Sequence, residues 1–202
     1  IQEGIVTREE LFVTGKLWST HHRKEHVGEA LAKSLSDLNL EYLDLYLIHF
    51  PIAITHVPID ERYPPGWYDP LTSTIEFDHV PLRETWEALE LLHFEGRVRN
   101  LGLCNTNTAL LWDLLSYARI KPSVLQIERH VYNQHRNLLL FCGLNYISVV
   151  AYSPIGASGY VSIGLAKESQ SALDEPLIKE IAASHGKTAA QILLRWNFQT
   201  GC

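Results

Sequence analysis

The sequence contains no methionine and only three cysteines, Cys104, Cys142 and Cys202, spread over 202 residues. Thiols so few and so widely spaced argue against a disulfide framework or a cysteine-based zinc site, and they suit a reducing compartment. No apolar run approaches the roughly 20 residues that a membrane helix requires, and residues 1–10 are too polar for a signal peptide. We therefore expect a cytoplasmic protein that does not interact with membranes.

An excess of positive charge is also absent. The formal net charge is −6, and the 17 lysines and arginines are scattered along the chain. This balance argues against a nucleic-acid-binding surface. With 46% hydrophobic and 20% charged residues, the composition is that of an ordinary globular protein. Because the chain begins at Ile1 and has no methionine, we expect it to be a fragment, a processed form or an incomplete record.

What the sequence does contain is an alternation of strand and helix patterns. The most informative strand is the apolar segment 43–48, which is followed by His49. A buried strand with a histidine at its carboxyl end is typical of α/β enzymes, which place reacting groups there. Strands with polar groups at or just after their ends are also predicted at 12–14, 100–103, 124–127 and 147–151. Such alternation predicts a parallel sheet whose polar ends converge on one rim.

Amphipathic patterns predict a helix after each strand. The predicted helices cover 23–38, 82–95, 107–117, 136–143, 174–185 and 189–199. Asp174 is expected to be the N-cap of the fifth helix, and Thr188 with Gln191 has the spacing of a capping box for the last one. No change of composition marks a second domain, so residues 1–202 are predicted to form a single domain.

Segment 51–80 is the one long connection in this pattern. It contains five prolines and several aromatic residues. It is too apolar to be a plain linker, so we interpret it as an ordered insertion loop over the site that follows His49.

The sequence lacks the G-x-G-x-x-G turn that a doubly wound dinucleotide-binding sheet normally carries after its first strand. Its strands end in side chains instead of glycines, which favours a (β/α)8 barrel. Five strands cannot close such a barrel. The predicted fold is therefore an α/β, incomplete (β/α)8 TIM barrel.

Several motifs along the whole chain, in unbroken register, resemble the aldo-keto reductases and most closely their fungal D-xylose (aldose) reductase branch. These motifs are Gly15-Lys16-Leu17-Trp18, Leu47-Ile48-His49-Phe50-Pro51, Tyr63-Pro64-Pro65-Gly66, Gly102-Leu103-Cys104-Asn105 and Ala151-Tyr152-Ser153-Pro154. The resemblance implies that the five strands are the third to the seventh of the family's barrel. It also implies that the strands with the family's catalytic Asp and Tyr precede Ile1, and that the eighth strand and the segment that holds the adenosine 2′-phosphate follow Cys202.

The resemblance implies two catalytic residues and a substrate pocket. Lys16, which we expect at a buried strand end, would lower the pKa of the tyrosine that donates a proton to the carbonyl. His49 would orient that carbonyl as a neutral hydrogen-bond donor. Trp18 and Phe50 would form walls of the pocket for a small-molecule carbonyl substrate.

The resemblance further implies NADPH as the cofactor. Asn105 and Gln126 would hydrogen-bond its carboxamide, and Tyr152 would stack on the nicotinamide ring. Cys104 stands where a serine is usual, which weakens this contact. The residues expected to border the pyrophosphate are Ser153, Ile155 and Ser158.

Departures from the family's pattern leave alternatives open. Glu128-Arg129-His130 replaces the usual acid-His-His run beside the site, which indicates either drift or a repurposed pocket. The chain is thus either an NADPH-dependent reductase or a naturally truncated relative that has lost the cofactor. Such a relative would catalyse a cofactor-free cyclisation or isomerisation with Lys16 and His49, or would be a non-catalytic binding protein.

Two further expectations concern assembly and metals. If the 202 residues stand alone, the unpaired edges of the third and seventh strands predict a homodimer. His21, His22 and His26 are interpreted as surface residues that share no metal-ligand geometry with nearby carboxylates, so no metal site is expected.

Overall fold

The computed structural model describes residues 1, 3–69, 72–156, 160, 164, 167 and 171–202. Its five strands form one sheet in chain order, β1-β2-β3-β4-β5. This confirms the predicted α/β class and the predicted alternation of strands and helices. The chain divides into two compact units, Ile1–Val124 and Leu125–Cys202. The single-domain organisation of residues 1–202 stays a prediction.

The first unit contains three strands and three helices. They are β1 (Thr14–Leu17), α1 (Lys24–Leu38), β2 (Leu45–Ile48), α2 (Leu82–Phe94), β3 (Leu101–Cys104) and α3 (Thr108–Tyr117). A short 3-10 helix, Ser19–His21, follows β1. All four residues of β2 and all four of β3 are buried, which is why these strands are apolar throughout rather than alternating.

Parallel pairing aligns the carboxyl ends of the first three strands. Leu17 of β1 lies opposite Ile48 of β2, and Ile48 lies opposite Leu103 of β3. The close approach of chains around β3 requires a residue without a side chain at position 102. A Cβ atom there would lie 2.3 Å from the carbonyl oxygen of Val124.

Segment 51–80 is tied to the first unit by backbone hydrogen bonds. The N–H of Ile54 donates to the carbonyl of Ser19 over 3.0 Å. Within the segment, the N–H of Thr55 donates to Glu76 over 2.8 Å, and that of Asp78 donates to Ala53 over 3.0 Å. The first of these bonds ties the segment to the 3-10 helix that follows β1, and the other two join its two ends.

The second unit contains β4, which begins at Val124, and β5, each followed by helical structure. The elements are β4 (Val124–Glu128), α4 (Arg136–Leu144), β5 (Ser148–Tyr152), a 3-10 helix (Ala172–Asp174), α5 (Pro176–His185) and α6 (Ala189–Gln199). The capping box predicted for Thr188 and Gln191 is confirmed at the start of α6. The N-cap predicted at Asp174 is wrong, because Pro176 fixes the first helical position and makes Glu175 the cap.

None of the helices in the described part of the chain has the length and apolarity needed to cross a membrane.

Candidate active site

The carboxyl ends of β1, β2 and β3 meet at one rim, and polar or aromatic residues follow each of them. Trp18 follows β1, His49 follows β2 and Asn105 follows β3. The backbone N–H of His49 donates to the carbonyl of Leu17 over 3.0 Å, which fixes the position of His49 relative to β1. The structure therefore brings together three residues predicted for the site from different strands.

Aromatic side chains surround His49. Its imidazole stacks on the ring of Phe50 with centroids 4.8 Å apart, and its edge meets Trp18 at 5.1 Å. Trp67, from segment 51–80, contacts both Trp18 and Phe50 with centroids 4.8 Å apart. These contacts make an apolar wall on one side of the histidine, as a carbonyl-binding pocket requires.

A cavity of about 280 Å³ lies beside this wall. It is lined by Lys16, Trp18, Tyr46, His49 and Tyr63, among others. The expectation that Lys16 sits at a buried strand end is wrong: it is the third of the four residues of β1, and its side chain is exposed. The physical reason is that β1 is the first strand in the sheet order, so only β2 flanks it among the described strands.

The electrostatics of the rim favour the uncharged forms of His49 and Cys104. Burial, and secondly the nearby Lys16 ammonium, lower the pKa of His49 below its ordinary value. Its imidazole is therefore neutral at neutral pH and can donate a hydrogen bond without carrying charge. Burial raises the pKa of the Cys104 thiol to about 12, although Lys16 acts in the opposite direction. Cys104 is thus a neutral thiol and not a nucleophile.

Asn105 supports His49 directly. Its side-chain amide Nδ2 donates to the backbone carbonyl of His49 over 2.8 Å. Asn105 also adopts a left-handed backbone conformation, with φ of 52°, which asparagine tolerates better than most residues. The residue predicted to hold the nicotinamide carboxamide therefore also joins the ends of β2 and β3.

The remaining predicted cofactor residues lie in the second unit. Gln126 is half-buried in β4, and Tyr152 is the half-buried last residue of β5. Ser153 follows in a left-handed conformation with φ of 51°, and its carbonyl accepts from the N–H of Gly156 over 2.9 Å. Ile155 packs against the buried cluster that includes Leu193. Ser158 lies outside the described residues, and the cofactor role of all these side chains stays a prediction.

Arg129, noted in the sequence only as a departure from the family pattern, is almost fully buried, with 1% of its surface exposed. Its guanidinium donates to Asn197 Oδ1 over 2.9 Å and to Thr200 Oγ1 over 2.7 Å, and it lies over the ring of Trp196. These contacts connect the end of β4 with α6. Within the second unit Arg129 is therefore a structural residue.

The interpretation of His21, His22 and His26 as surface residues without metal-ligand geometry is wrong in two respects. His21 and His22 are each only 3% exposed. Segment 51–80 bonds to Ser19 and Thr20 beside His21, and the hydroxyl of Thr85 in α2 donates to the carbonyl of His22. Possible ligand atoms of His21, Glu29 and His56 also lie within 4.8 Å of one another. Burial, followed by the neighbouring His56, lowers the pKa of His21 to about 4, against an opposing effect of Glu29.

The comparison with known proteins decides the family. The family model described as "Aldo/keto reductase family" matches residues 1–201. The chain belongs to the aldo/keto reductase family. This confirms the resemblance stated from the sequence motifs.

Named relatives of this aldo/keto reductase chain are fungal reductases. It is 47% identical over 203 residues to the NAD(P)H-dependent D-xylose reductase of Scheffersomyces stipitis, covering 100% of this chain and 64% of the relative. It is 44% identical over 208 residues to the NADPH-dependent aldose reductase of Saccharomyces cerevisiae, with the same coverage. The chain therefore spans about 64% of the length of these curated relatives.

A solved structure supports the fold. The aldose reductase of Schistosoma japonicum aligns with a TM-score of 0.82 and 36% identity, covering 98% of this chain and 59% of that one. The predicted barrel type, present in part, is thus confirmed by a structural match over most of this chain.

Each predicted cofactor residue of this aldo/keto reductase chain, taken by itself, has side-chain chemistry that suits a nicotinamide. Amide side chains, which both donate and accept hydrogen bonds, are present at Asn105 and Gln126, and a carboxamide requires both functions. Tyr152 offers an aromatic face at the end of β5. Trp67 is a further residue of the rim that the sequence motifs do not predict, although it directly follows the matching motif Tyr63-Pro64-Pro65-Gly66.

Proposed function

We propose that this aldo/keto reductase chain takes part in an NAD(P)H-dependent reduction of a small carbonyl compound, an aldose or another aldehyde or ketone, to its alcohol. The observation that carries the proposal is a neutral histidine, His49, at the edge of a cavity of about 280 Å³ with aromatic walls. Relatives named as NAD(P)H-dependent D-xylose reductases support the same reaction class.

His49 would orient the substrate. Its neutral imidazole would donate a hydrogen bond to the carbonyl oxygen and stabilise the negative charge that grows there. Because burial and Lys16 lower the pKa of His49, the donor carries no net charge at neutral pH. The Lys16 ammonium lines the same cavity and adds a favourable potential for an alkoxide. In the family, this lysine also lowers the pKa of the tyrosine that donates the proton.

By resemblance to the family, Asn105, Gln126 and Tyr152 would hold the cofactor. The two amides would bind the carboxamide group, and Tyr152 would stack on the ring. A bound reduced nicotinamide supplies the hydride that adds to the carbonyl carbon. Trp18, Phe50 and Trp67 would exclude water from the reacting atoms. The neutral Cys104 thiol, where serine is usual, makes a weak hydrogen-bond partner and predicts weaker cofactor binding than a serine would give.

A titration of the 202-residue chain with NADPH and, separately, NADH tests the proposal. Trp18 lines the cavity and contacts the ring of Trp67, so quenching of tryptophan fluorescence reports binding. D-xylose or a reactive aldehyde is then added, and nicotinamide absorbance is followed. We expect saturable binding and carbonyl-dependent oxidation, with His49→Gln lowering the rate by about 10²–10³-fold. His79→Gln, an exposed histidine of segment 51–80, is the matched control and leaves the rate unchanged.

A second candidate function uses the same rim without a cofactor. Lys16 and His49 line one cavity, and a neutral imidazole beside an ammonium is a suitable acid–base pair for a cyclisation or isomerisation. Absence of both nicotinamide binding and turnover contradicts the reductase proposal for this chain and favours this candidate or a non-catalytic binding role. The predicted homodimer is tested separately by light scattering.

A further inference from the structure

A cluster of imidazole and carboxylate groups lies in the first unit, beside the cavity. It joins three parts of the chain: His21 from the 3-10 helix after β1, Glu29 from α1 and His56 from segment 51–80. Glu29 Oε1 lies 3.7 Å from His21 Nε2 and 3.5 Å from His56 Nε2. Ligand atoms about 2.0–2.1 Å from a tetrahedral zinc ion are themselves about 3.3 Å apart, so each of these two distances would contract by a few tenths of an ångström. The three ligand atoms all lie within 4.8 Å of one another.

The buried nitrogen of His21 points to a ligand. Its Nε2 has no hydrogen-bond partner among the described residues, although the side chain is only 4% exposed. A buried polar atom left without a partner costs free energy, and in native structures such atoms have a specific reason. Its nearest acidic group, Glu29 Oε1, is beyond hydrogen-bonding distance at 3.7 Å. A cation between the two atoms would satisfy both.

Thr20 contacts the Nδ1 atom of both imidazoles. Its backbone carbonyl accepts a hydrogen bond from His56 Nδ1 over 3.1 Å, which leaves the lone pair of His56 on Nε2. Its hydroxyl contacts His21 Nδ1 at 2.7 Å, and when that nitrogen carries the hydrogen the lone pair of His21 also lies on Nε2. Histidines that ligate metals are typically held in this way through their second nitrogen.

We propose that His21, Glu29 and His56 bind one zinc ion, which ties segment 51–80 to α1 and to the end of β1. Two imidazoles and one carboxylate are a common three-ligand set for zinc, with the fourth position left for water. The half-exposed side chain of Glu29, at 43%, gives that position access to solvent. Imidazole and carboxylate ligands without a thiolate suit Zn²⁺ over the softer Cu⁺.

His26 lies beside the cluster but outside the three-ligand set. Its Nδ1 is 3.3 Å from Glu29 Oε1, and its ring stacks on that of His56 with centroids 3.5 Å apart. An ion bound by His56 lies in the plane of the His56 ring. The His26 ring is stacked face to face on that ring, so the ion lies outside its plane and the ring nitrogens of His26 do not point at it. We therefore expect its replacement to weaken zinc binding only a few-fold.

The test uses the untagged 202-residue chain, because a polyhistidine tag binds zinc. A Cys202→Ser background removes the one cysteine that is not buried. After treatment with a chelator, the chain is titrated with Zn²⁺ in competition with a chromophoric zinc chelator. We expect one zinc ion per chain. Loss of a direct ligand in Glu29→Gln or His56→Gln is expected to weaken binding by at least about 100-fold, since loss of an outer-shell partner alone costs 10–100-fold.

Matched variants separate this site from adventitious binding. His79→Gln, which removes an exposed histidine of the same segment, is expected to leave the zinc affinity unchanged. His21→Gln is expected to abolish binding, and the more exposed positions Glu29 and His56 test the site even if the buried substitution prevents folding. Equal binding by all variants, or binding lost in His26→Gln but retained in His21→Gln, would overturn the proposal.

The effect on segment 51–80 is a second measurement. Trypsin cleaves after Arg62, which lies in this segment. Zinc is expected to slow this cleavage at least several-fold in the parent chain and in His79→Gln, and to have no effect in Glu29→Gln. Visible absorption of the Co²⁺-loaded chain should show intense tetrahedral bands. Cleavage that is insensitive to zinc in every variant would refute the proposed tie between the segment and the rest of the unit.

Discussion

The side-chain amide of Asn105 donates a 2.8 Å hydrogen bond to the backbone carbonyl of His49. This bond connects the ends of β3 and β2, and it places one predicted cofactor residue in direct support of one predicted catalytic residue. The rim is therefore held by two residues that are both predicted to function there, so that a change in one should disturb the other.

The substitution Asn105→Ala tests this coupling. It removes the hydrogen bond and places an alanine at φ of 52°, so we expect a loss of about 2–3 kcal/mol in the free energy of unfolding. Asn39→Ala is the matched control, since Asn39 has φ of 51° at the end of α1 and carries only the conformational cost of about 1 kcal/mol. Urea denaturation measures both, and equal losses would show that the bond to His49 contributes nothing.

The pKa of His49 depends on Lys16 in a direction that can be measured. Burial and the Lys16 cation both disfavour the imidazolium and lower this pKa. In Lys16→Met only the effect of burial remains, so the pKa of His49 should rise and the imidazole should take up its proton at a higher pH. NMR titration of the imidazole, assigned with His49→Gln, gives the value. Lys24→Met removes a cation that does not contribute to this shift and should leave the pKa of His49 unchanged. A lower pKa of His49 in Lys16→Met would contradict the account.

Replacing two glycines of the first unit by alanine should change its stability in opposite directions. At Gly102 a Cβ atom would lie 2.3 Å from the carbonyl oxygen of Val124 and 2.7 Å from the Leu47 side chain. We expect Gly102→Ala to destabilise the unit by about 2–3 kcal/mol, because the backbone must shift. Gly28, within α1, has no atom within 4 Å of the same position. Gly28→Ala should stabilise by about 0.5–1 kcal/mol through the higher helix propensity of alanine. Thermal unfolding of the two variants measures both changes in stability, and changes of the same sign would refute this explanation.

Arg129 is predicted to be essential for the stability of the second unit. Arg129→Ala leaves the side chains of Asn197 and Thr200, both hydrogen-bonded to the guanidinium, without their donor. We expect a loss of about 3 kcal/mol. Arg136→Ala serves as the control, because Arg136 is exposed and its guanidinium donates to the Gln134 side chain over 2.8 Å. Its effect should stay within about 0.5 kcal/mol, and a similarly small effect at Arg129 would contradict a structural role.

Strand and helix identities could be predicted from periodicity because each element has one face or both faces buried. The fully buried strands β2 and β3 were recognised from their unbroken apolar sequence. The strand predicted at 12–14 begins and ends too early: β1 covers Thr14–Leu17, and Phe12 is apolar yet 67% exposed and lies outside it. Hydrophobicity indicates burial only where a neighbouring element covers the side chain.

The residues at strand ends were found by the same reasoning, while contacts made by the long connection were not. Trp67 and His56 reach the rim and the histidine cluster through segment 51–80, whose path is set by tertiary hydrogen bonds such as that from Ile54 to Ser19. The buried His21 lies beside the same segment, which bonds to Ser19 and Thr20. The role of Arg129 depends on partners 68 and 71 residues away in the chain, which no local pattern identifies.

The most direct test of the proposed reaction follows the hydrogen itself. The 202-residue chain is incubated with a small aldehyde and NADPH labelled with deuterium at both C4 positions of the nicotinamide, and the alcohol product is analysed by mass spectrometry. Reduction at the His49 rim predicts one deuterium on the former carbonyl carbon, at a rate that falls about 10²–10³-fold in His49→Gln. An alcohol without deuterium, or a labelled product formed at the same rate by His49→Gln, would contradict the account.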